Sequence, residues 1–234
     1  MISMKTADFG YDETLFRVDQ LELNAGTATV LIGGNGTGKS TLLKTLIGQV
    51  PLRKGDLTLD GKSHSGFHRD ERARLMAFVP VRFPIMEYVR VREFIALGSY
   101  EEGSWFGTVN NELADKVVVI TRRLGIEHLI DSFTSSISDG ERQLVAIAQA
   151  ICTEAPIVLL DEPTAFLDYG NKQRVLELIQ QLANEHNKCV LFSSHDLDIC
   201  VRYFDRYLIV QRDEQKLTFL QTHSCDELIQ LSYP

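Results

Sequence analysis

Two kinds of apolar patterning alternate along the chain. Short, near-continuous runs occur at 27–32 (TATVLI), 76–80 (MAFVP), 156–162 (PIVLLDE) and 188–194 (KCVLFSS). Their length and composition predict strands buried on both faces. Other stretches repeat apolar residues at three- and four-residue spacing: Ser40 to Leu46, closing near Gly48, then NKQRVLELIQQLANEH at 171–186 and LDICVRYF at 197–204. These predict helices. Such alternation predicts an α/β fold with a mostly parallel sheet covered on both faces.

Two regions break the alternation. Within residues 1–32, Leu15, Val18, Leu21 and Leu23 mark short strands separated by turns, and DLTLDGK at 56–62 reads as an edge hairpin strand. Between 85 and 155 helical patterns dominate: VREFIALG, ELADKVVVITRRLG and the run that follows Ser138, with EEGSWFGTVNN (101–111) as a polar loop. A mostly helical segment therefore interrupts an α/β core.

Composition narrows the function classes. The 234 residues are 44% hydrophobic and 24% charged, ordinary for a globular chain. A formal net charge of −8, without a dense Lys/Arg run, argues against nonspecific nucleic-acid binding. No apolar stretch reaches the ~18–20 residues of a membrane span. MISMKTADFG lacks a signal-peptide layout. Cys152, Cys189, Cys200 and Cys225 form no C-x-x-C pair and read as free thiols of a reducing compartment. The expectation is a cytosolic, soluble protein.

The chemistry begins at GGNGTGKS, residues 33–40, which fits G-x-x-x-x-G-K-[ST] between a predicted strand and a predicted helix. Gly33, Gly34, Gly36 and Gly38 let the backbone curl so that successive N–H groups face phosphate oxygens. Lys39 is expected on the β- and γ-phosphates and Ser40 on Mg²⁺. IVLLDE at 157–162 ends a strand in Asp161, a second Mg²⁺ carboxylate, and Glu162, which can accept a proton from an attacking water. No N-K-x-D element accompanies the loop: NKQR (171–174) and NKCV (187–190) both fail it, which argues against a GTPase.

SISDGERQ (136–143) marks another helix start. Ser138 precedes Glu141 by the spacing of a capping box, and a helix N-terminus suits an anion. Asp139 puts a carboxylate there. Successive helix residues point about a quarter-turn apart, at ~3.6 residues per turn, so Asp139 can face away while Ser138 and Gly140 face a phosphate.

GGNGTGKST, SISDGERQ, IVLLDEPTAFLD and FSSHD, in that order, resemble the ATP-binding-cassette ATPases over essentially the whole chain. The resemblance implies one ABC-type domain over 1–234. It would be a P-loop NTPase core with an N-terminal antiparallel β-subdomain and an inserted helical subdomain at about 82–155. It implies ATP and Mg²⁺ as cofactors, held by Gly33, Gly34, Asn35, Gly36, Thr37, Gly38, Lys39, Ser40 and Thr41, with Ser40 and Asp161 on the metal. Glu162 is then the general base and His195 the switch histidine. Ser138, Gly140 and Glu141 act on the ATP of a second copy facing head to tail. AFLD matches the loop that signals across that dimer, ending in Asp168, and Tyr11 in FGYDE matches the aromatic that stacks on adenine.

Val81 departs from the family, which places Gln after the strand read as MAFVP. Valine has no donor or acceptor, so either Arg82 contributes differently or hydrolysis is slow or partner-dependent. VREFIALGSY is similar to subunits that energise importers of ferric siderophores, haem or cobalamin. That resemblance implies a membrane permease docked near Val81 to Tyr88, an extracytoplasmic binding protein acting indirectly, and a cytoplasmic position on the inner membrane face. Another transporter ATPase, a soluble cassette ATPase working on a protein or nucleic-acid assembly, and a non-hydrolysing binding module remain as alternatives.

Overall fold

The apolar runs at 27–32, 189–193, 157–160 and 76–79 lie side by side. In the computed structural model, which describes residues 1–83, 85–99, 111–211 and 213–232, they are β3 (Thr27–Ile32), β8 (Cys189–Ser193), β7 (Ile157–Leu160) and β6 (Met76–Val79). They pair in parallel in the order β3-β8-β7-β6. Every residue of β7 and β8 is buried, as expected where helices cover both faces of a sheet. Leu31 pairs with Ser193, Leu160 with Phe192 and Val79 with Leu160. The carboxyl ends are therefore flush, and the segments beginning at Gly33, Asp161, Ser194 and Pro80 leave from one edge. Ligands of open α/β sheets bind at such an edge.

The sheet continues beyond β3 into β9 (Arg206–Gln211), parallel to it, and β10 (Lys216–Gln221), antiparallel to β9. β10 meets β2 (Thr14–Leu23), which pairs antiparallel with β1 (Ile2–Gly10). β1 pairs with β4 (Lys54–Leu59) and β4 with β5 (Lys62–Ser63), completing a ten-stranded mixed sheet among the described residues. One apolar core, with Phe9, Phe16, Leu42 and Leu43, lies between this antiparallel part and α1 (Lys39–Leu46). α2 (Arg69–Leu75) buries none of its residues.

Between β6 and β7 the described chain is helical: α3 (Val91–Ala96), α4 (Asn111–Arg123) and α5 (Asp139–Cys152). Phe94, Ile120, Leu144 and Ile147 join the core on the other sheet face. The predicted loop at 101–111 lies outside the described residues except Asn111, which begins α4. α6 (Tyr169–Asn184) covers the same face. The helix predicted over 197–204 is shorter, with α7 spanning Leu197–Cys200. The chain then turns, and Phe204 meets the Phe192 ring edge-on at 5.0 Å, a contact that continuing the helix would have redirected. α8 (Cys225–Ser232) follows β10. All four cysteines are free, and Cys152, Cys189 and Cys200 are buried. Among the described residues no helix is long and apolar enough to cross a membrane.

Candidate nucleotide site

β3 delivers the chain into a glycine loop that α1 closes. Gly38, the residue before α1, has φ +108°. A Cβ there would lie 2.8 Å from the Phe16 ring, so neither the backbone angle nor the space accepts a side chain. A Cβ on Gly33 would lie 2.8 Å from the Val210 carbonyl oxygen. At Gly36 the space is open. The Thr37 hydroxyl donates to the Gly34 carbonyl at 3.0 Å and helps fix the turn. The first turn of α1 carries Ser40 and Thr41 and no acidic side chain. Its leading N–H groups thus form the electropositive end that suits phosphate.

Lys39 is buried, and its ammonium donates to the carbonyls of Gly33 at 2.8 Å and Gly34 at 3.1 Å. Burial pulls its pKa below the ordinary lysine value, while the nearby carboxylates of Glu162 and Asp161 act to raise it. Lys39 thus joins the two halves of the site predicted from separate motifs.

The carboxylates are organised by a residue that motif reading passed over. Ser193, the buried last residue of β8, donates its hydroxyl to Asp161 Oδ1 at 2.7 Å. The Ser193 hydroxyl oxygen in turn accepts the Glu162 backbone N–H at 2.8 Å. One side chain therefore fixes Asp161 and the backbone of Glu162 together. Its signal in the sequence was a serine closing an apolar run beside a histidine, at a strand end adjacent to β7. Glu162 itself has φ +50°, a left-handed conformation uncommon outside glycine, of the sort found where a site over-determines its backbone. His195 Nε2 lies 2.7 Å from Glu162 Oε1, both partly exposed. Behind them Asp196 accepts from Thr164 and from Lys172, each at 2.7 Å, and ties the loop after β8 to the loop after β7.

The start of α5 has other neighbours. Ser138 and Glu141 form the predicted capping box: the Ser138 N–H and hydroxyl each donate to Glu141 Oε2 at 2.8 Å, and the Glu141 N–H donates back at 3.3 Å. These bonds hold the Glu141 carboxyl below its usual range. Asp139 is exposed and its carboxylate is engaged by the Arg142 guanidinium, which also donates to the Ile137 carbonyl at 2.7 Å. The charge at the helix start is thereby paired rather than left facing outward. Gly140 lies so close to the Phe166 carbonyl oxygen that a Cβ would sit 2.9 Å from it.

Asp168 is placed as a helix cap, accepting the Asn171 N–H at 2.8 Å. Tyr11 lies in the turn between β1 and β2 with its ring exposed, and its carbonyl accepts from the Arg53 guanidinium. Asn35 stands exposed at the tip of the phosphate loop. The structure thus brings together Lys39, Asp161, Glu162, Ser193 and His195. It assigns Ser138, Gly140 and Glu141 to a separate helix start.

Residues 16–165 match the family model described as "ABC transporter". The chain is 36% identical over 197 residues to an uncharacterized ABC transporter ATP-binding protein of Haemophilus influenzae, covering 84% of this chain and 74% of that one. It is 32% identical to the achromobactin transport ATP-binding protein of Dickeya dadantii, covering 89% and 78%. Among solved structures it resembles a chain from an inward-facing transporter described as of metal-chelate type (TM-score 0.79, 27% identity, 98% and 88% covered). It shares its fold with a dimeric bacterial ABC transporter cassette (TM-score 0.82, 21% identity, 94% and 98% covered). This chain belongs to the ABC transporter family, as one of its ATP-binding ATPase subunits.

Proposed function

We propose that the chain hydrolyses ATP to drive an importer of metal chelates of the siderophore, haem or cobalamin type. The observation that carries the hydrolytic reading is the Ser193 hydroxyl beside Lys39, which donates to Asp161 and accepts the Glu162 backbone N–H. It preorganises an acid pair over a phosphate-binding loop. ATP phosphates would lie along the N–H groups of residues 33–41, with Lys39 exchanging its loop carbonyls for phosphate oxygens. A water oxygen attacks the γ-phosphorus, its proton passes to the Glu162 carboxylate, and ADP leaves; His195 holds Glu162 in place.

Mg²⁺ fits this donor set. Among the described residues no cluster of three His, Cys, Asp or Glu side chains could hold a metal alone. Asp161 and the Ser40 hydroxyl supply the one or two protein oxygens that Mg²⁺ takes alongside nucleotide oxygens and water. When bound, the ion would neutralise charge developing on the phosphates.

Tyr11 supplies an exposed ring for adenine. Ser138, Gly140 and Glu141, on their separate helix start, suit the γ-phosphate of a second copy's ATP, so the working unit is a head-to-tail homodimer with Asp168 in the loop between copies. In this reading 1–234 is one ATP-binding domain. Its helical segment (about 82–155) meets a membrane permease through exposed Ile85 and Tyr88. The subunit then sits on the cytoplasmic face of the membrane, and an extracytoplasmic binding protein contacts only the permease. The chelate assignment rests on relatives such as the achromobactin protein. Two measurements test the reading: Mg²⁺-dependent ATP turnover by the purified chain, and mass spectrometry of what it carries from gently solubilised native membranes. A polytopic permease is expected; turnover with only soluble partners would overturn the import assignment.

A further inference from the structure

The valine at position 81 has no donor or acceptor to take the place of a glutamine, yet the segment after β6 reaches the hydrolytic loop by another route. Val81 is half-buried and apolar. The next residue, Arg82, places its guanidinium 5.7 Å from the centroid of the Phe166 ring. Phe166 is exposed, has φ +64°, and sits in the loop running from Asp161 and Glu162 to Asp168. A positive φ on an aromatic residue is rare and is kept only where the surroundings hold it.

Both ends of this link are anchored. Phe83 packs edge-on against Phe94 of α3 with centroids 4.6 Å apart, which ties the segment to the helical insert. The Asp161 N–H donates to the Val79 carbonyl at 2.8 Å, which ties the start of the hydrolytic loop to the end of β6. Within the loop the Ala165 N–H donates to the Glu162 carbonyl at 3.0 Å and the Leu167 N–H to the Thr164 carbonyl at 3.4 Å, so Glu162 and Phe166 lie in two overlapping turns. On the far side the Phe166 carbonyl is packed against Gly140 at the start of α5. Phe166 is thus touched by the segment after β6 and by the helix start before which Ser138 stands.

We propose that Arg82 is a positioning residue of the hydrolytic site, which through its cation over the Phe166 ring holds the 161–168 loop in the conformation that presents Glu162. The inference rests on the hydrolytic reading above. It gives the helical insert a physical connection to Glu162: a shift of α3 moves Phe83, then Arg82, then the overlapping turns that carry Phe166 and Glu162.

The test is steady-state ATP turnover by purified wild type, R82A, R82K, F166L, the R82A/F166L double variant and E162Q. Loss of an exposed cation–π contact predicts that R82A lowers kcat by about two- to fivefold with KM for ATP unchanged. R82K keeps a cation and stays near wild type. F166L loses the ring and matches R82A, and the double variant is no slower than either single one, because both remove the same contact. F166L also carries the prediction should R82A fold poorly. R82A at the wild-type rate while E162Q falls by about 10²-fold or more would overturn the inference and leave the hydrolytic reading standing, as would losses that multiply in the double variant. Undiminished turnover in E162Q would overturn the hydrolytic reading itself, and this inference with it.

Discussion

Ser193 is the most informative residue to change, because one hydroxyl serves both acids. Ser193→Ala removes the 2.7 Å bond to the Asp161 carboxylate and strands the Glu162 N–H that the oxygen accepts at 2.8 Å. A hydrogen bond to a charged group contributes about 1.5–3 kcal/mol, and a buried donor left unsatisfied costs about 1–3 kcal/mol. The two overlap, since both belong to one side chain, so a loss of about 2–4 kcal/mol is expected against a total stability of roughly 5–15 kcal/mol. The variant therefore still folds. Loss of a supporting shell residue typically costs about 10- to 100-fold in metal affinity or activity. Urea unfolding of the nucleotide-free chain measures the first effect, and ATP turnover against Mg²⁺ concentration measures the second. A stability change below about 0.5 kcal/mol, the range of an ordinary surface substitution, together with an unchanged Mg²⁺ dependence, would refute the assignment of Ser193 as organiser of the site.

Other expectations follow from the same geometry. Gly38→Ala and Gly36→Ala both place alanine at a positive φ (+108° and +73°), but only at Gly38 does the Cβ also approach the Phe16 ring to 2.8 Å, so overpacking of about 1–3 kcal/mol should lower its melting temperature below that of Gly36→Ala, whose Cβ meets open space. Differential scanning calorimetry of the two variants decides this. The Glu141 carboxyl is held below the ordinary glutamate value of 4.5 by the Ser138 N–H and hydroxyl. Its ionised form thus adds stability that is present above pH 4.5 and is lost as pH falls through the lower folded-state value. Glu141→Gln should cost about 0.3–1 kcal/mol near neutral pH and less in acid, read by urea titrations at several pH values; a pH-independent difference would contradict the capping assignment. Val81→Gln should raise basal ATP turnover, and an unchanged rate would remove valine as the cause of any slow hydrolysis.

Much of the site was legible because its determinants are local. The turn chemistry of residues 33–40, the acids ending β7 and the Ser138–Glu141 spacing each declare themselves within a few residues. What was missed depended on distant partners or lacked a pattern. α2 is the charged sequence RDERARL with no buried residue, so it offers no apolar period to read. Gln215, just before β10, has φ +49°, and the chain between β9 and β10 offers no glycine or Asn-Gly signal, so the sequence pattern marks neither strand as part of a hairpin. Ser193 acts across two neighbouring strands, and Arg82 reaches Phe166 from a different loop. Neither link exists until the sheet has formed. The helix expected over 197–204 ends at Cys200, because Phe204 fits an apolar helical period and yet turns back onto Phe192.

Glu162 is proposed to take the proton from water in a site completed by a second copy of the chain. The most direct test is Glu162→Gln with ATP and Mg²⁺, analysed by size-exclusion chromatography with light scattering. The expected result is turnover reduced by about 10²- to 10⁴-fold and a stable dimer that forms with ATP but not with ADP. Undiminished turnover, or a monomer that binds ATP without hydrolysing it and never associates, would contradict it.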